Sequence, residues 1–237
     1  MKNVRSARGR YATSEVTRLK LIASAEEAVA RHGIGGVSAR EVSKAAGLSN
    51  TAAVSYHFGS MGDLLKQVLV TRMEKMDEIR ARLIEENGTP LSECAIHTLV
   101  EYICLPHVIF AKTNEGRTTY QSFVCQYLPH IYPNGSPWNL GPESASSPNM
   151  SRIALELKIK MRDLPDEIFN RRMFNIMVLF CNFLRTLPPS SLFPPDIDEA
   201  STMIGDTIAQ CTALLCATPD VPEALRSMIV DDANSHI

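Results

Sequence analysis

The stretch Gly47-Leu-Ser-Asn-Thr-Ala-Ala-Val-Ser-Tyr-His-Phe-Gly-Ser60 decides the fold of the first part of this chain. It follows a run that opens with Ser38-Ala-Arg-Glu41, the pattern of a capping box, in which a serine and a glutamate three residues later bind each other's backbone amides. We therefore predict a helix over about residues 39–46, a break at Gly47, and a second short helix over about 50–56 that Ser49 caps. Two short helices joined by a tight glycine turn form a helix-turn-helix, here over about residues 38–57.

Helices are also predicted on both sides of this motif. Apolar residues that recur at three- and four-residue steps indicate a helix over about 15–32, which Gly33 ends, and a long helix that begins after Ser60 and fades at Asn87-Gly88. No sustained β alternation follows, so the fold class is all-α. Further helices are predicted at about 91–112, 115–131, 150–163, 166–187 and 198–217, with a short one after Pro222 and loops at 133–148 and 188–195.

The charge of the chain is divided between its two parts. The 237 residues include 24 basic and 26 acidic side chains, so the net charge is −2. Residues 1–82 hold 14 basic and 8 acidic side chains, whereas residues 83–237 hold 10 and 18. A basic front and an acidic back suggest that only the front faces a polyanion, although chance clustering on a solvated surface would give the same counts.

Composition and cysteine spacing disfavour several other classes of protein. A hydrophobic content of 45% with 21% charged residues argues against a disordered chain. No export signal or membrane span is evident, so we expect a soluble, cytoplasmic protein with no membrane partner. No two of the six cysteines form a CxxC pair, which disfavours zinc ribbons and thioredoxin-type centres. We therefore expect reduced thiols, no metal and no cofactor.

The quoted stretch, preceded by the Ile-Ala-Ser-Ala run of the first helix and by Gly33, resembles the DNA-binding domain of the tetracycline-repressor (TetR) family. It is most similar to a subgroup that carries Ala-Ala-Val-Asn-Tyr-His-Phe-Gly-Ser-Lys, and the resemblance covers about residues 15–75. This sequence departs from that subgroup in two places. Ser55 stands in place of the Asn, and Met61-Gly62 replaces the usual Lys-Glu, whose Lys typically touches phosphate.

The resemblance implies a helix-turn-helix domain over residues 15–75 and a helical ligand-binding and dimerisation domain over 76–237. It places the second short helix in the major groove, where base edges carry a distinguishing pattern of donors and acceptors. The candidates for base contacts are Ser49, Asn50, Thr51 and Ser55, with Ala52 and Ala53 for thymine methyl groups. The candidates for phosphate contacts are Ser38, Arg40, Lys44, Tyr56 and His57.

A mobile basic arm is predicted over residues 1–14. Its Lys2, Arg5, Arg8 and Arg10 either follow a groove or the phosphates, or form a tail without function. A single helix-turn-helix buries too little surface against DNA for tight specific binding, so we expect a homodimer on a double-stranded operator.

The helices of the second part supply the candidates for a dimer interface and for a pocket. The family resemblance implies a two-fold four-helix interface, for which the apolar and small-residue stripes of the last two long helices are candidates; completion of a monomer core is the alternative. The candidate interface residues are Phe174, Val178, Cys181, Gly205, Ala209, Thr212 and Cys216. A small apolar or amphipathic ligand is expected beside Pro106, with His97, Cys104, His107, Tyr120, Gln121, Phe123, Cys125 and Tyr127 as candidate contacts, although each of them alone also suits a core position.

These features favour a dimeric, ligand-released repressor that acts on a palindromic operator. The alternative is a helix-turn-helix protein without a small-molecule inducer, which acts constitutively or through protein partners, and a hollow apolar pocket would separate the two. An enzyme, for example a cysteine hydrolase using Cys125 with His97 or His130, is disfavoured because no nucleophile motif, phosphate loop or metal signature is present.

Overall fold

The computed structural model describes residues 3–113, 118–132, 146–187, 197–218 and 220. Over these residues the fold is all-α, as predicted: the described chain forms α-helices and one short 3-10 helix, Ile34–Gly36, and contains no strand. The helices are α1 (Asn3–His32), α2 (Ala39–Ala45), α3 (Ala53–Phe58), α4 (Met61–Asn87), α5 (Ile96–Thr113), α6 (Thr119–Ile131), α7 (Pro148–Lys160), α8 (Asp166–Thr186) and α9 (Ile197–Cys216).

The helix-turn-helix is formed by α2 and α3, which pack on α1 and α4. The predicted capping box is present, because the Ser38 hydroxyl accepts from the Glu41 amide at 3.3 Å while the Glu41 carboxylate accepts from the Ser38 amide at 2.9 Å. The turn begins at Gly47, whose φ of 73° lies in the left-handed region that favours glycine. The fully buried side chains of Val42 and Val54 hold the two short helices on a common core.

Two boundaries near the DNA-binding motif differ from the prediction. α3 begins at Ala53 instead of residue 50, and Ser49 does not cap it; the Asn50 side-chain oxygen accepts from the Ala52 amide at 2.9 Å instead. α1 begins at Asn3 instead of residue 15, so the described residues of the predicted basic arm continue the helix.

α4 begins directly after the helix-turn-helix and runs on for 27 residues. Ser60 caps its start by accepting from the Asp63 amide at 3.1 Å, and Gly88, with φ of 70°, ends it at the predicted place. Its 27 residues correspond to about 40 Å of helix. Because α1, α3, α5 and α7 all pack against it, α4 contacts both halves of the molecule.

The remaining helices form the C-terminal body. α8 packs against α5, α6 and α9, and α9 also packs against α5. α5 begins at Ile96 instead of residue 91. Leu91 and Cys94 are both buried in a turn, which is closed by hydrogen bonds from the Glu93 and Cys94 amides to the Pro90 carbonyl. The helix predicted after Pro222, the loop predicted at 188–195 and residues 133–145 of the other predicted loop lie outside the described residues.

Candidate nucleic-acid interface and adjoining cavity

The turn and the first residues of α3 present polar side chains to solvent. Ser49, Asn50, Thr51, Ala52 and Ser55 are all exposed, which leaves each of them accessible to a base edge. Ala53 is not, since it is only 5% exposed and belongs to the core between the helices. The prediction that Ala53 touches a thymine methyl group is therefore wrong.

Tyr56 is the most exposed large hydrophobic side chain among the described residues. Its exposure is 81%, and its ring lies edge-on to that of His57 at a centroid distance of 4.9 Å. An aromatic side chain so far from the core makes few contacts that stabilise the fold. Its hydroxyl and the half-buried His57 ring are placed at the C-terminal end of α3, where they could meet a phosphate.

The other candidate phosphate contacts lie on α2. Arg40 and Lys44 are exposed and four residues apart, so they share one face of the helix. Ser38 is exposed too, but its hydroxyl already donates to the Glu41 carboxylate at 2.7 Å. Its capping role is therefore the one that the structure displays.

Sequence reasoning missed Arg18, which positions the end of α3. Arg18 Nη1 donates to the carbonyl oxygen of His57 at 2.6 Å, and the guanidinium lies 4.4 Å from the centre of the Phe58 ring. These contacts tie the last turn of α3 to α1. Phe58 packs against the core.

A cavity of about 490 Å³ lies in the C-terminal body between α4, α5, α6, α7 and α8. This volume is within the range of small-molecule sites. Most of its wall is apolar, and the polar groups on it are Lys66, Arg80, His107, Tyr120, Tyr127, Tyr132, Ser146, Ser147 and Ser151. The apolar lining side chains are Leu69, Val70, Met73, Met76, Val124, Leu128, Ile131, Met150 and Met177.

The structure distributes the candidate ligand contacts over three places. His107, Tyr120 and Tyr127 line the cavity. Cys104, Gln121 and Phe123 are buried in the core and do not line it, and the half-buried Cys125 does not line it either. His97 lies outside on α5, where its Nδ1 is 3.1 Å from the Thr212 hydroxyl of α9.

His107 is a neutral group in the cavity wall. Burial lowers its pKa to about 3, and the nearby charge of Arg80 acts in the same direction. Its ring stacks on Tyr120 at a centroid distance of 6.0 Å, and its Nδ1 lies 3.7 Å from the Cys181 sulfur. At neutral pH it therefore offers a hydrogen-bonding ring without a charge.

A buried ionic cluster adjoins the cavity through Arg80 and Ser147, and sequence reasoning missed it. Asp77 of α4 accepts hydrogen bonds from the Asn149 and Met150 amides at 3.1 and 3.0 Å, so it caps the N-terminus of α7 from another helix. Arg80 Nη1 and the Ser147 hydroxyl also donate to it, at 2.9 and 2.8 Å. Burial alone would raise the pKa of Asp77, but these hydrogen bonds and the Arg80 charge outweigh it and hold the pKa below its ordinary value.

The candidate dimer residues do not all reach the surface. Gly205, Ala209 and Cys216 are exposed on α9, and Val178 and Thr212 are half-buried. Cys181 is fully buried against His107 and Met177, and Phe174 is only 8% exposed. Cys181 therefore packs within the monomer and cannot contribute to an interface, and little of Phe174 could.

Two sets of contacts connect α1 to α4 and α6, two helices that contribute to the cavity wall. Arg72 of α4 pairs with Glu26 of α1 at 2.6 Å, and Glu26 is only 3% exposed. Burial raises the pKa of Glu26 in spite of the opposing charge of Arg72. At the end of α1, Gln126 of α6 donates to the Ala30 carbonyl at 3.2 Å.

Among the described residues, no group of three or more histidine, cysteine, aspartate or glutamate side chains is placed to hold a metal ion. None of the described helices is both long enough and apolar enough to cross a membrane.

Comparison with known proteins bears on the N-terminal domain. Residues 21–68 match the family model described as bacterial regulatory proteins, tetR family. Among solved structures, the chain is similar to one from Mesorhizobium loti MAFF303099 whose description assigns it to the TetR family of transcriptional regulators, at 16% identity and a TM-score of 0.43, over 85% of this chain and 96% of that chain. No curated protein matches the chain. The family match confirms the resemblance drawn from the sequence.

Proposed function

We propose that this DNA-binding transcription regulator, whose residues 21–68 form a TetR-type domain, acts as a dimer on a palindromic operator and is released from it by a small molecule. The exposed side chains of the turn and of α3 read the bases, and the exposed cations of α2 bind phosphates. The C-terminal body supplies both the dimer contact and the ligand cavity.

One observation carries the ligand-released reading: the same helix serves the DNA-binding core and the cavity. Leu64, Leu65 and Val68 of α4 are buried in the DNA-binding domain, while Leu69 to Arg80 of the same helix contribute to the cavity wall. A ligand that prefers one position of α4 therefore favours one spacing of the two recognition helices. A coupling free energy of about 1–3 kcal/mol would lower operator affinity by about 5- to 150-fold.

The cavity also bears on the alternative without a small-molecule inducer. A regulator without a small-molecule inducer has no need of a hollow, mainly apolar space of about 490 Å³ beside α4, the helix on which α3 packs. Its presence favours control by a ligand.

The dimer is proposed through the exposed side of α9 with the neighbouring part of α8. Gly205 has no atom within 4 Å of the position of an added Cβ, so this face is open in the single chain. Two copies would bring their recognition helices to half-sites about 34–36 Å apart or a multiple of it. We expect Ala209→Arg to convert a dimer into a monomer in sedimentation velocity, while Ala81→Arg, on an exposed position of α4, leaves it unchanged. A dimer that survives Ala209→Arg would place the interface elsewhere.

The DNA-binding assignment is tested by selecting bound duplexes from a random pool. Tyr56→Ala should weaken binding to all sequences, because a phosphate contact carries no sequence information. Asn50→Ala or Thr51→Ala should change which sequences are selected. If Tyr56→Ala leaves affinity unchanged, α3 is not the recognition helix.

A further inference from the structure

Arg80 is a buried cation with one nitrogen left unused. The residue is only 2% exposed, and its Nε donates to the Tyr102 carbonyl at 2.9 Å. Its Nη1 donates to Asp77 at 2.9 Å and to the Ser147 hydroxyl at 3.3 Å. Nη2 donates to no described residue, and Arg80 is one of the residues that line the cavity. Two N–H groups of a buried guanidinium are thus available to a ligand.

The charges around the cavity have one sign. Among the described residues that line it, Lys66 and Arg80 are the charged ones, and none is an aspartate or glutamate. Asp77 lies behind Arg80 and shares its carboxylate among several donors from α7 and the segment before it. His107 adds no charge of either sign at physiological pH, because burial keeps its ring neutral. The described wall therefore favours an anion.

The two cations stand at opposite ends of an apolar wall. Lys66 and Arg80 are 14 residues apart on α4, which corresponds to about 21 Å along the helix. The lining side chains of α4 between them are Leu69, Val70, Met73 and Met76. A volume of about 490 Å³ holds roughly 16 groups of the size of water, at about 30 Å³ each.

We propose that the cavity binds a long-chain carboxylic acid, with the carboxylate on Arg80 Nη2 and the aliphatic tail lying along α4 towards Lys66. The headgroup belongs at Arg80 because a charge-assisted hydrogen bond is stronger at a buried guanidinium than at an exposed ammonium. The binding site stands on the cavity alone; its effect on DNA rests on the proposed function.

The test compares probes that share a tail and differ in the headgroup. Tetradecanoic acid and tetradecan-1-ol are titrated into the full-length protein at neutral pH, and binding is measured by calorimetry. We expect the acid to bind about 10- to 100-fold more tightly than the alcohol, which is the range for a hydrogen bond to a charged group. Equal affinities would overturn the proposal.

Variants locate the headgroup. The pair Asp77→Asn with Arg80→Gln removes both members of the ion pair, so that neither charge is left alone in the core. We expect the double variant to lose the preference for the acid while it still binds the alcohol. The matched control is Arg82→Gln, at an exposed arginine of the same helix, which should keep the preference. An unchanged preference in the double variant would overturn the assignment to Arg80. If the double variant does not fold, the comparison of probes on the unaltered protein decides.

Operator affinity is measured separately with the same probes. If the acid binds through Arg80 and the operator affinity does not change, the ligand assignment stands and release by a ligand fails. If the acid and the alcohol bind equally and both release DNA, the ligand assignment fails and release stands.

Discussion

Replacing Asp77 by asparagine tests the cluster that joins α4 to α7. An asparagine of nearly the same size keeps one acceptor oxygen, which can still serve Arg80, Ser147 and Met150. Its amide group, however, meets the backbone and side-chain N–H groups of Asn149, which now donate to the second carboxylate oxygen at 3.1 and 2.9 Å. Arg80 also loses its counter-charge while it stays buried.

The magnitude follows from that loss. Removing one partner of a buried ion pair costs about 3–5 kcal/mol, because the remaining charge is left uncompensated. We therefore expect Asp77→Asn to lower the free energy of unfolding by about this amount in urea denaturation followed by circular dichroism. Hydrogen exchange should show the first amides of α7 losing protection.

A matched control separates this effect from the loss of a charge. Asp166 pairs with Lys158 at 2.5 Å, but its side chain is 83% exposed. Exposed pairs contribute about 0–1 kcal/mol, so Asp166→Asn should have little effect.

The pH dependence of the Asp77 effect has a definite sign. The folded protein holds the pKa of Asp77 below its ordinary value, so its contribution is fully present above the unfolded pKa and is lost as the pH falls through the folded pKa. The difference in the free energy of unfolding between the unaltered protein and Asp77→Asn should therefore be largest at neutral pH and disappear on acidification. A gap below about 1 kcal/mol at neutral pH would refute the role given to this cluster.

Three further changes test other parts of the structure. Arg18→Gln removes the charge-assisted bond to the His57 carbonyl, so we expect about 1–3 kcal/mol less stability and weaker binding to every duplex, whereas Lys20→Gln at an exposed position of α1 should preserve the stability. Met61→Lys restores the cation found in the resembling subgroup; we expect tighter DNA binding and a log–log salt dependence steeper by about 0.9, and an unchanged slope would deny a phosphate contact at this position. Because burial raises the pKa of Glu26, the folded protein binds a proton that the unfolded chain has already released, and stability falls as the pH rises from the ordinary carboxyl value to the raised one. Unfolding measured in parallel on Glu26→Gln should lack this component, and identical pH profiles for the two proteins would contradict it.

Features set by neighbours in the sequence were predictable. The capping box at Ser38 and Glu41 and the helix end at Gly88 depend on residues within one turn of each other, and both are present in the structure. The predicted start of α3 was wrong, also for a local reason. The residue that precedes α3 is Ala52, which has no side-chain acceptor, so the capping preference of Ser49 and Asn50 did not mark the start of this helix.

Features set by distant residues were not predictable. The contact from Arg18 to His57 spans 39 positions, and that from Asp77 to Asn149 spans 72. Periodicity identifies the apolar sides of a helix but does not say what covers them, so Cys181 was assigned to an interface although it is covered by His107 of its own chain. The same limit applies to the cavity, because only three of the candidate ligand contacts turn towards it.

The shared helix has a consequence for how the protein melts and for how it can be engineered. One contiguous set of buried apolar side chains extends from Leu21 on α1 to Leu215 on α9, and α4 contributes to it along most of its length. Both domains should therefore unfold on heating in a single cooperative transition, with no intermediate in which the N-terminal domain alone is folded. The DNA-binding domain should therefore not fold as an isolated fragment. Truncation at residue 68 would remove most of α4, on which the domain packs.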